Sequence, residues 1–319
     1  MTEHAGVLDR RLVYVTGKGG VGKTTIAAGL AELAARRGKR VLLIAGEANG
    51  DCAQAFQHAP VGFVPEVVAP GISTMTMNTE DSLREYLRLQ LRVPIVGRIG
   101  PVAQAFDFIA TAAPGVKEIL TTGKICWEVR QAMRGVAPWD IVIVDSSATG
   151  HIVAQLDAPR VLDELVAVGP VREQTQWMLD ILDDPTITAM VIVTTAEEMP
   201  VRETIDLLSR ARARLSIAIG GVIVNRVLPE LLTREDEPLF TALMEPEPKA
   251  VVTAVGGPSA CGVLAAAQFA IALRRDRSQY LDALRRAVDV PISYIPELFV
   301  RSEGRRVTRQ IADALDAEL

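Results

Sequence analysis

Short apolar runs that do not alternate with polar residues punctuate this chain. They are Leu12-Val13-Tyr14-Val15, Val41 to Ile44, Ile141 to Val144, Leu165 to Val168, Met190 to Val193, Gly221 to Val224 and a run around Ile292. A strand covered on one face alternates and a strand covered on both does not, so the runs predict a mostly parallel sheet with helices on both faces, an α/β fold. Between the first two runs, Thr24 to Arg37 carries Ile26, Leu30 and Leu33 at helical spacing, and Gly38 closes that helix. The first fifty residues therefore read as strand, glycine loop, helix, strand, which is a βαβ unit.

Two regions break the rhythm. Asp81 to Arg134 is mostly helical, with Leu83, Tyr86, Leu87 and Leu91 on one face and Phe106, Phe108 and Ile109 following. Thr233 to Pro258 is acidic and proline-rich (Glu245-Pro246-Glu247-Pro248) and predicts a loop or mobile segment, followed by an apolar helix from Cys261 to Leu273. That last run is shorter than the ~20 residues a membrane span needs and is interrupted by Gln268, which predicts a buried or groove-lining helix. The expected organisation is a single unit over 1–319, with a helical subdomain built from segments 81–134 and 228–285.

Composition narrows the class. The chain has 319 residues, 49% of them hydrophobic, enough for a large core. Lys and Arg number 34 against 39 Asp and Glu, so no nucleic-acid partner is expected. The three cysteines, Cys52, Cys126 and Cys261, form no C-x-x-C pair, which argues against a disulfide framework or zinc knuckle. Free thiols and a polar start without an apolar signal core predict a cytoplasmic protein.

The chemistry concentrates in the loop after the first strand. Gly17-Lys18-Gly19-Gly20-Val21-Gly22-Lys23-Thr24 satisfies G-x-x-x-x-G-K-[ST], in which backbone N–H groups converge on phosphate oxygens at a helix N-terminus. Gly17, Gly19, Gly20, Val21, Gly22, Lys23, Thr24 and Thr25 are the candidate ATP/ADP-binding residues. Lys23 is expected to bridge the β- and γ-phosphates and Thr24 to ligate Mg²⁺, with Asp145, at the end of another buried run, as the carboxylate near the metal. The same string also satisfies the dinucleotide pattern G-x-G-x-x-G through Gly17, Gly19 and Gly22. Lys23-Thr24 and Asp145 decide against that alternative, because a dinucleotide turn has no use for them. The fold expected is a P-loop NTPase.

Lys18 is not required by the generic pattern. Lys18 to Thr25 resembles the deviant P-loop class, and Asp145-Ser146-Ser147-Ala148-Thr149-Gly150-His151 resembles the switch II segment D-T-A-P-T-G-H of the ArsA-type family. That family comprises anion-transporting and tail-anchored-protein-targeting ATPases. Pro114-Gly115-Val116-Lys117-Glu118 resembles its P-G-x-x-E, and Asn225-Arg226 and Ile295-Pro296-Glu297 resemble its adenine-side elements. The resemblance implies ATP hydrolysis and a dimer in which Lys18 reaches the partner's nucleotide, as a homodimer or as a heterodimer with a paralogue. It also implies Asn225, Pro296 and Glu297 beside the base, Asn225 reading equally as a turn residue after its strand, and a hydrophobic client or membrane-protein partner. Candidate client-groove segments are Leu83 to Leu91, Val102 to Ile109 and Val263 to Leu273, whose alternative is an ordinary core role.

The chain departs from the family at two points. Aligned back from Phe56, switch I reads Glu47-Ala48-Asn49-Gly50-Asp51-Cys52-Ala53-Gln54-Ala55-Phe56, where the family has D-P-A-H-S-L-G-D-A-F, so the water-activating Asp is Glu47 here. Ala148 stands where switch II has proline. The catalytic candidates are thus Lys18, Lys23 and Glu47. Either Glu47 orients the water, or the chain turns over slowly as a nucleotide-binding regulatory half of an asymmetric dimer. A MinD/ParA-like partitioning ATPase is a second alternative, opposed by the acidic end of the tail from Arg305 to Leu319. No cysteine pair suits a nitrogenase-like cluster, and the cysteines do not fall at the family's metalloid positions. Cys52 reads as a packing residue. His151 reads equally as a switch contact or as a polar residue at a helix start.

Overall fold

The computed structural model describes residues 6–46, 52–90, 115–166, 168–230, 232–233, 235–299 and 304–319, without the side chains of 86–90, 170 and 258. Eight strands form one sheet: β1 (Leu12–Gly17), β2 (Val41–Ala45), β3 (Glu66–Ala69), β4 (Ile72–Thr76), β5 (Ile141–Ala148), β6 (Thr188–Thr195), β7 (Ala218–Val227) and β8 (Ile292–Pro296). Their order is β3-β4-β2-β5-β1-β6-β7-β8, parallel throughout except for the β3–β4 edge hairpin. The expected α/β fold with a mostly parallel, doubly covered sheet is what the chain forms.

The continuous apolar runs have their explanation in the two cores. Val13 and Val15 of β1, with Leu43 and Ile143 beside them, face α1 (Lys23–Arg36). Leu12 and Tyr14, with Leu42 and Val144, face the opposite layer. That layer holds α2 (Thr79–Gln90), α3 (Val116–Met133), α4 (Thr149–Leu165), α5 (Pro170–Leu182) and α6 (Glu198–Arg214). Both faces of β1, β2 and β6 are dry along their whole length, so both parities must be apolar there. Among the described residues the remaining α-helices are α7 (Asp236–Leu243), α8 (Pro246–Ala287) and α9 (Arg305–Glu318). Helix α9 lies on α1, with Ile311, Ala312 and Leu315 buried and Arg36 paired to Asp313 at 2.5 Å. Gly29 permits that approach, because a Cβ there would sit 2.4 Å from Ile311 Cγ2.

Two expectations are corrected and a third is narrowed. Leu165 to Val168 is not a buried strand: Leu165 ends α4, the Val166 N–H still donates to the Leu162 carbonyl, and Leu165 and Val168 are 77% and 82% exposed. A run of four apolar residues reads alike as strand or as helix end. The proline-rich stretch 233–258 is not a loop, since α7 and the start of α8 occupy it. Pro246 and Pro248 fall in the first turn of α8, where backbone N–H groups have no intrahelical partner to lose. The non-helical φ of 68° at Gly257 then kinks α8 before Pro258. The apolar stretch Cys261 to Leu273 is helical, and of its two expected roles burial is ruled out, with Val263 and Phe269 each 68% exposed, which leaves the groove-lining one. Among the groove candidates, Leu83 lies on α2, whereas Leu91 and Val102 to Ile109 lie outside the described residues.

Candidate functional site

The loop between β1 and α1 leaves the middle of the sheet at the carboxyl end of β1, between β5 and β6. This is where open α/β sheets bind ligands. Gly17 has φ 154°, and a Cβ there would lie 2.1 Å from the Val193 carbonyl oxygen of β6. Gly22, at φ 93°, caps α1, and a Cβ on it would meet the Asn225 amide at 2.4 Å. The loop can therefore pack down on β6 and β7 only with glycine at both ends, while Gly19 and Gly20 stay exposed and Val21 is buried beneath them. Thr25 is half-buried in the first turn of α1.

Lys23 opens α1, is 8% exposed, and donates from Nζ to the Lys18 carbonyl at 3.3 Å, across the loop. Burial lowers its pKa, and the nearby Asp145 carboxylate acts the other way. Thr24 Oγ1 donates to Asp145 Oδ2 at 2.5 Å. Asp145 is fully buried on β5, between Val15 of β1 and Ala45 of β2. Burial pushes its pKa up to about 6, against the Thr24 hydrogen bond, the Lys23 charge and the Cys52 thiol, whose Sγ is 3.9 Å from Oδ2. A hydroxyl and a carboxylate side by side are the hard oxygen donors that suit Mg²⁺, so the residues present fit that ion. The predicted cradle, its lysine and its metal pair are thus brought together.

The predicted base-side residues also meet. The Glu297 N–H donates to the Val227 carbonyl at 2.9 Å, which places Pro296 and Glu297 at the end of β8 beside Asn225 to Val227 on β7. Asn225 is buried, and Nδ2 donates to the Val21 carbonyl at 2.9 Å while Oδ1 accepts from the Arg226 N–H. Its amide braces the glycine loop. Glu47, with 48–51 of switch I, and Pro114 lie outside the described residues. His151 is exposed in the first turn of α4.

Sequence reasoning missed Glu203 and Arg210 here, and the contact that Arg226 makes with the glycine loop. Lys18 Nζ meets Glu203 Oε1 of α6 at 2.7 Å, and Glu203 Oε2 accepts from Thr149 Oγ1 at 2.9 Å. Arg210 Nη2 donates to the Thr149 carbonyl at 3.4 Å. Arg226, at φ 55°, donates from Nη1 to the Gly20 carbonyl at 3.4 Å. No local motif announces these contacts, which join positions far apart in the chain.

A second feature lies in the helical layer. An apolar cavity of about 630 Å³ opens between α2, α3, α4 and α5. Ile119, Trp127, Val161, Leu162 and Trp177 line it, with Lys124 and Arg214 among the charged lining residues. The Trp127 and Trp177 rings meet edge to face at 6.5 Å. Among the described residues no helix is long and apolar enough to cross a membrane, and no cluster of His, Cys, Asp and Glu could hold a metal on its own.

The family model for anion-transporting ATPases (ArsA_ATPase) matches residues 10–175 and 167–249. The chain is 35% identical to the ATPase BagA of Mycobacterium tuberculosis over 232 residues, 71% of this chain and 68% of that protein. It is 26% identical to an arsenical pump-driving ATPase of Escherichia coli over 264 residues, 75% of this chain but only 43% of the pump protein. It is 25% identical to the ATPase ASNA1 homolog of Entamoeba dispar over 256 residues, 68% of this chain and 76% of that protein.

Proposed function

The chain belongs to the ArsA-type family of anion-transporting ATPases, and from that premise we propose that it is a Mg-dependent dimeric ATPase that couples nucleotide state to a hydrophobic client or membrane-protein partner. Nucleotide binding and ATPase activity come with the family; the metal, the dimer and the partner are our reading.

The observation that carries the reading is the convergence of Lys23 and the Thr24–Asp145 pair beneath the glycine loop. Loop N–H groups and the N-terminus of α1 would hold the phosphates. Lys23 would offset the charge on the β- and γ-oxygens. Thr24 and Asp145 would hold Mg²⁺, which supplies charge neutralisation at the phosphate oxygens. Asn225, Pro296 and Glu297 would flank the adenine. Lys18 would reach the γ-phosphate of a partner chain's nucleotide, as a charge supplied in trans. A single ATPase unit over 1–319 with helical segments 81–134 and 228–285 is the organisation that suits this coupling.

Glu47 would orient the attacking water on a side chain one methylene longer than the family's Asp. Misplacement by ~1 Å costs on the order of a hundredfold in rate, so slow turnover beside a better-equipped paralogue is the second reading this residue favours. Steady-state phosphate release from the chain and from Glu47→Gln tests the first. The expected result is at least about tenfold slower release with ATP binding retained, and equal rates would remove Glu47 from the mechanism.

The cavity between α2 and α5 and the exposed apolar residues of α8 support the client. Val255 is 85% exposed on α8, and an apolar helix face left in water marks a surface for a partner. The client would be an apolar helix, bound in one nucleotide state and released in the other.

A further inference from the structure

The ammonium of Lys18 already has a partner within its own chain. Glu203, on α6, receives it through Oε1 at 2.7 Å and receives the Thr149 hydroxyl through Oε2 at 2.9 Å. The two partners stand on different elements, the loop after β1 and the first residue of α4. Arg210 lies two turns further along the same face of α6, donates to the Thr149 carbonyl at 3.4 Å and pairs with Asp206 at 2.9 Å. One helix face thus holds both the phosphate loop's extra lysine and the start of the switch helix. Both side chains of the Lys18–Glu203 pair are about one third exposed, at 29% and 34%. Such a pair is weak enough to exchange for a stronger anion.

We propose that Glu203 is a positioning residue that competes with the γ-phosphate for the Lys18 ammonium and links that exchange to Thr149 of switch II. A γ-phosphate offers a denser charge than one carboxylate and draws Lys18 off. Glu203 is then left with Thr149 and the Arg210 field, so the start of α4 sees a changed partner whenever the lysine moves. Lys23 feels the same event, because its Nζ bonds the Lys18 carbonyl. The Lys18 hydrogen bond is also the first cause of the lowered Glu203 pKa, consistent with a carboxylate held ionised and in use. A diphosphate has no γ-phosphate to offer this lysine, so the competition is expected with triphosphates alone.

The inference rests on the reading of Lys18 as a γ-phosphate contact, and the test separates the two. Calorimetric titrations with Mg·AMP-PNP and with Mg·ADP are run on the full chain, Glu203→Gln, Lys18→Ala and the double variant, with thermal unfolding as the check on folding. Removing a competitor tightens binding, whereas damaging a structural contact weakens it, so the sign is diagnostic. Glu203→Gln is expected to bind AMP-PNP about three- to tenfold more tightly with ADP affinity held within about twofold. That gain is expected to vanish in the Lys18→Ala background. Glu203→Ala is expected to move in the same direction. Unchanged or weaker AMP-PNP binding by Glu203→Gln, an equal gain for ADP, or a gain that survives Lys18→Ala overturns the proposal. Lys18→Ala alone is expected to weaken AMP-PNP more than ADP. If it weakens neither, the lysine–phosphate contact fails and the competition with it; if it does while Glu203→Gln changes nothing, only the competition is lost.

Discussion

Asp145 brings a carboxyl group into the core beside the Thr24 hydroxyl, and burial there raises its pKa from 3.8 to about 6. Between those two values the folded chain holds more protons than the unfolded one, so stability falls as pH rises through that window. At neutral pH the ionised group costs the fold about 3 kcal/mol by that shift. Asp145→Asn keeps an acceptor for Thr24 without the charge. It is expected to raise the melting temperature of the nucleotide-free protein at pH 7 and to weaken Mg-dependent ATP binding about tenfold or more. A lower melting temperature together with unaltered Mg dependence would contradict both roles. The same ionisation predicts that Mg-dependent binding declines as pH is lowered through about 6, followed by calorimetry between pH 5 and 8. At this scale the cradle was legible because its glycines, Lys23 and Thr24 are contiguous. Asp145 was legible because it ends an apolar run. Glu203 was not, since Lys18 meets it across 185 positions, and neither was the contact of Arg226 with Gly20 across 206. Resemblance assigned Asn225 to the base side, and the contact the structure shows is its amide bracing Val21.

Elements were legible wherever both faces of a strand are buried. Runs such as Met190 to Val193 mark β6, which is dry along its whole length. The β3–β4 hairpin escaped because its first strand has exposed residues and its second carries Ser73, Thr74 and Thr76. The Pro70-Gly71 pair, with Gly71 at φ 76°, is the turn signal that could have revealed it. Leu165 to Val168 failed for the opposite reason, as apolar residues beyond the core at a helix end. The docking of α9 on α1 depends on a feature no periodicity contains, the missing side chain at Gly29. Gly29→Val would drive a methyl group into Ile311 and Leu315. It is expected to cost about 1–3 kcal/mol in urea unfolding and to quicken proteolysis within 305–319. Unchanged stability and unchanged cleavage would show that the two helices do not need that close approach.

Taken as one molecule, the chain places its glycine loop, strand β5 and its helical layer on one sheet, with β5 running directly into α4. Movement at Asp145 or Thr149 would therefore reach α4, whose Val161 and Leu162 line the apolar cavity. This continuity is the physical route by which nucleotide state would reach a client. Phe269→Glu on α8 puts a charge on the exposed apolar face, and is expected to reduce nucleotide-dependent protection of a hydrophobic helix peptide from aggregation, read by light scattering. Protection equal to that of the unaltered chain would remove α8 from the client surface. Sedimentation with Mg·AMP-PNP is expected to show a dimer that Lys18→Ala weakens; a monomer at every concentration would leave Lys18 without a role in trans. All of these expectations stand on the phosphate loop. The most direct test is calorimetric titration of folded chain and Lys23→Ala with Mg·ATP. One site per chain, weakened by at least about tenfold in the variant, is the predicted result. No heat of binding to the unaltered chain, or equal affinity in both, would contradict it.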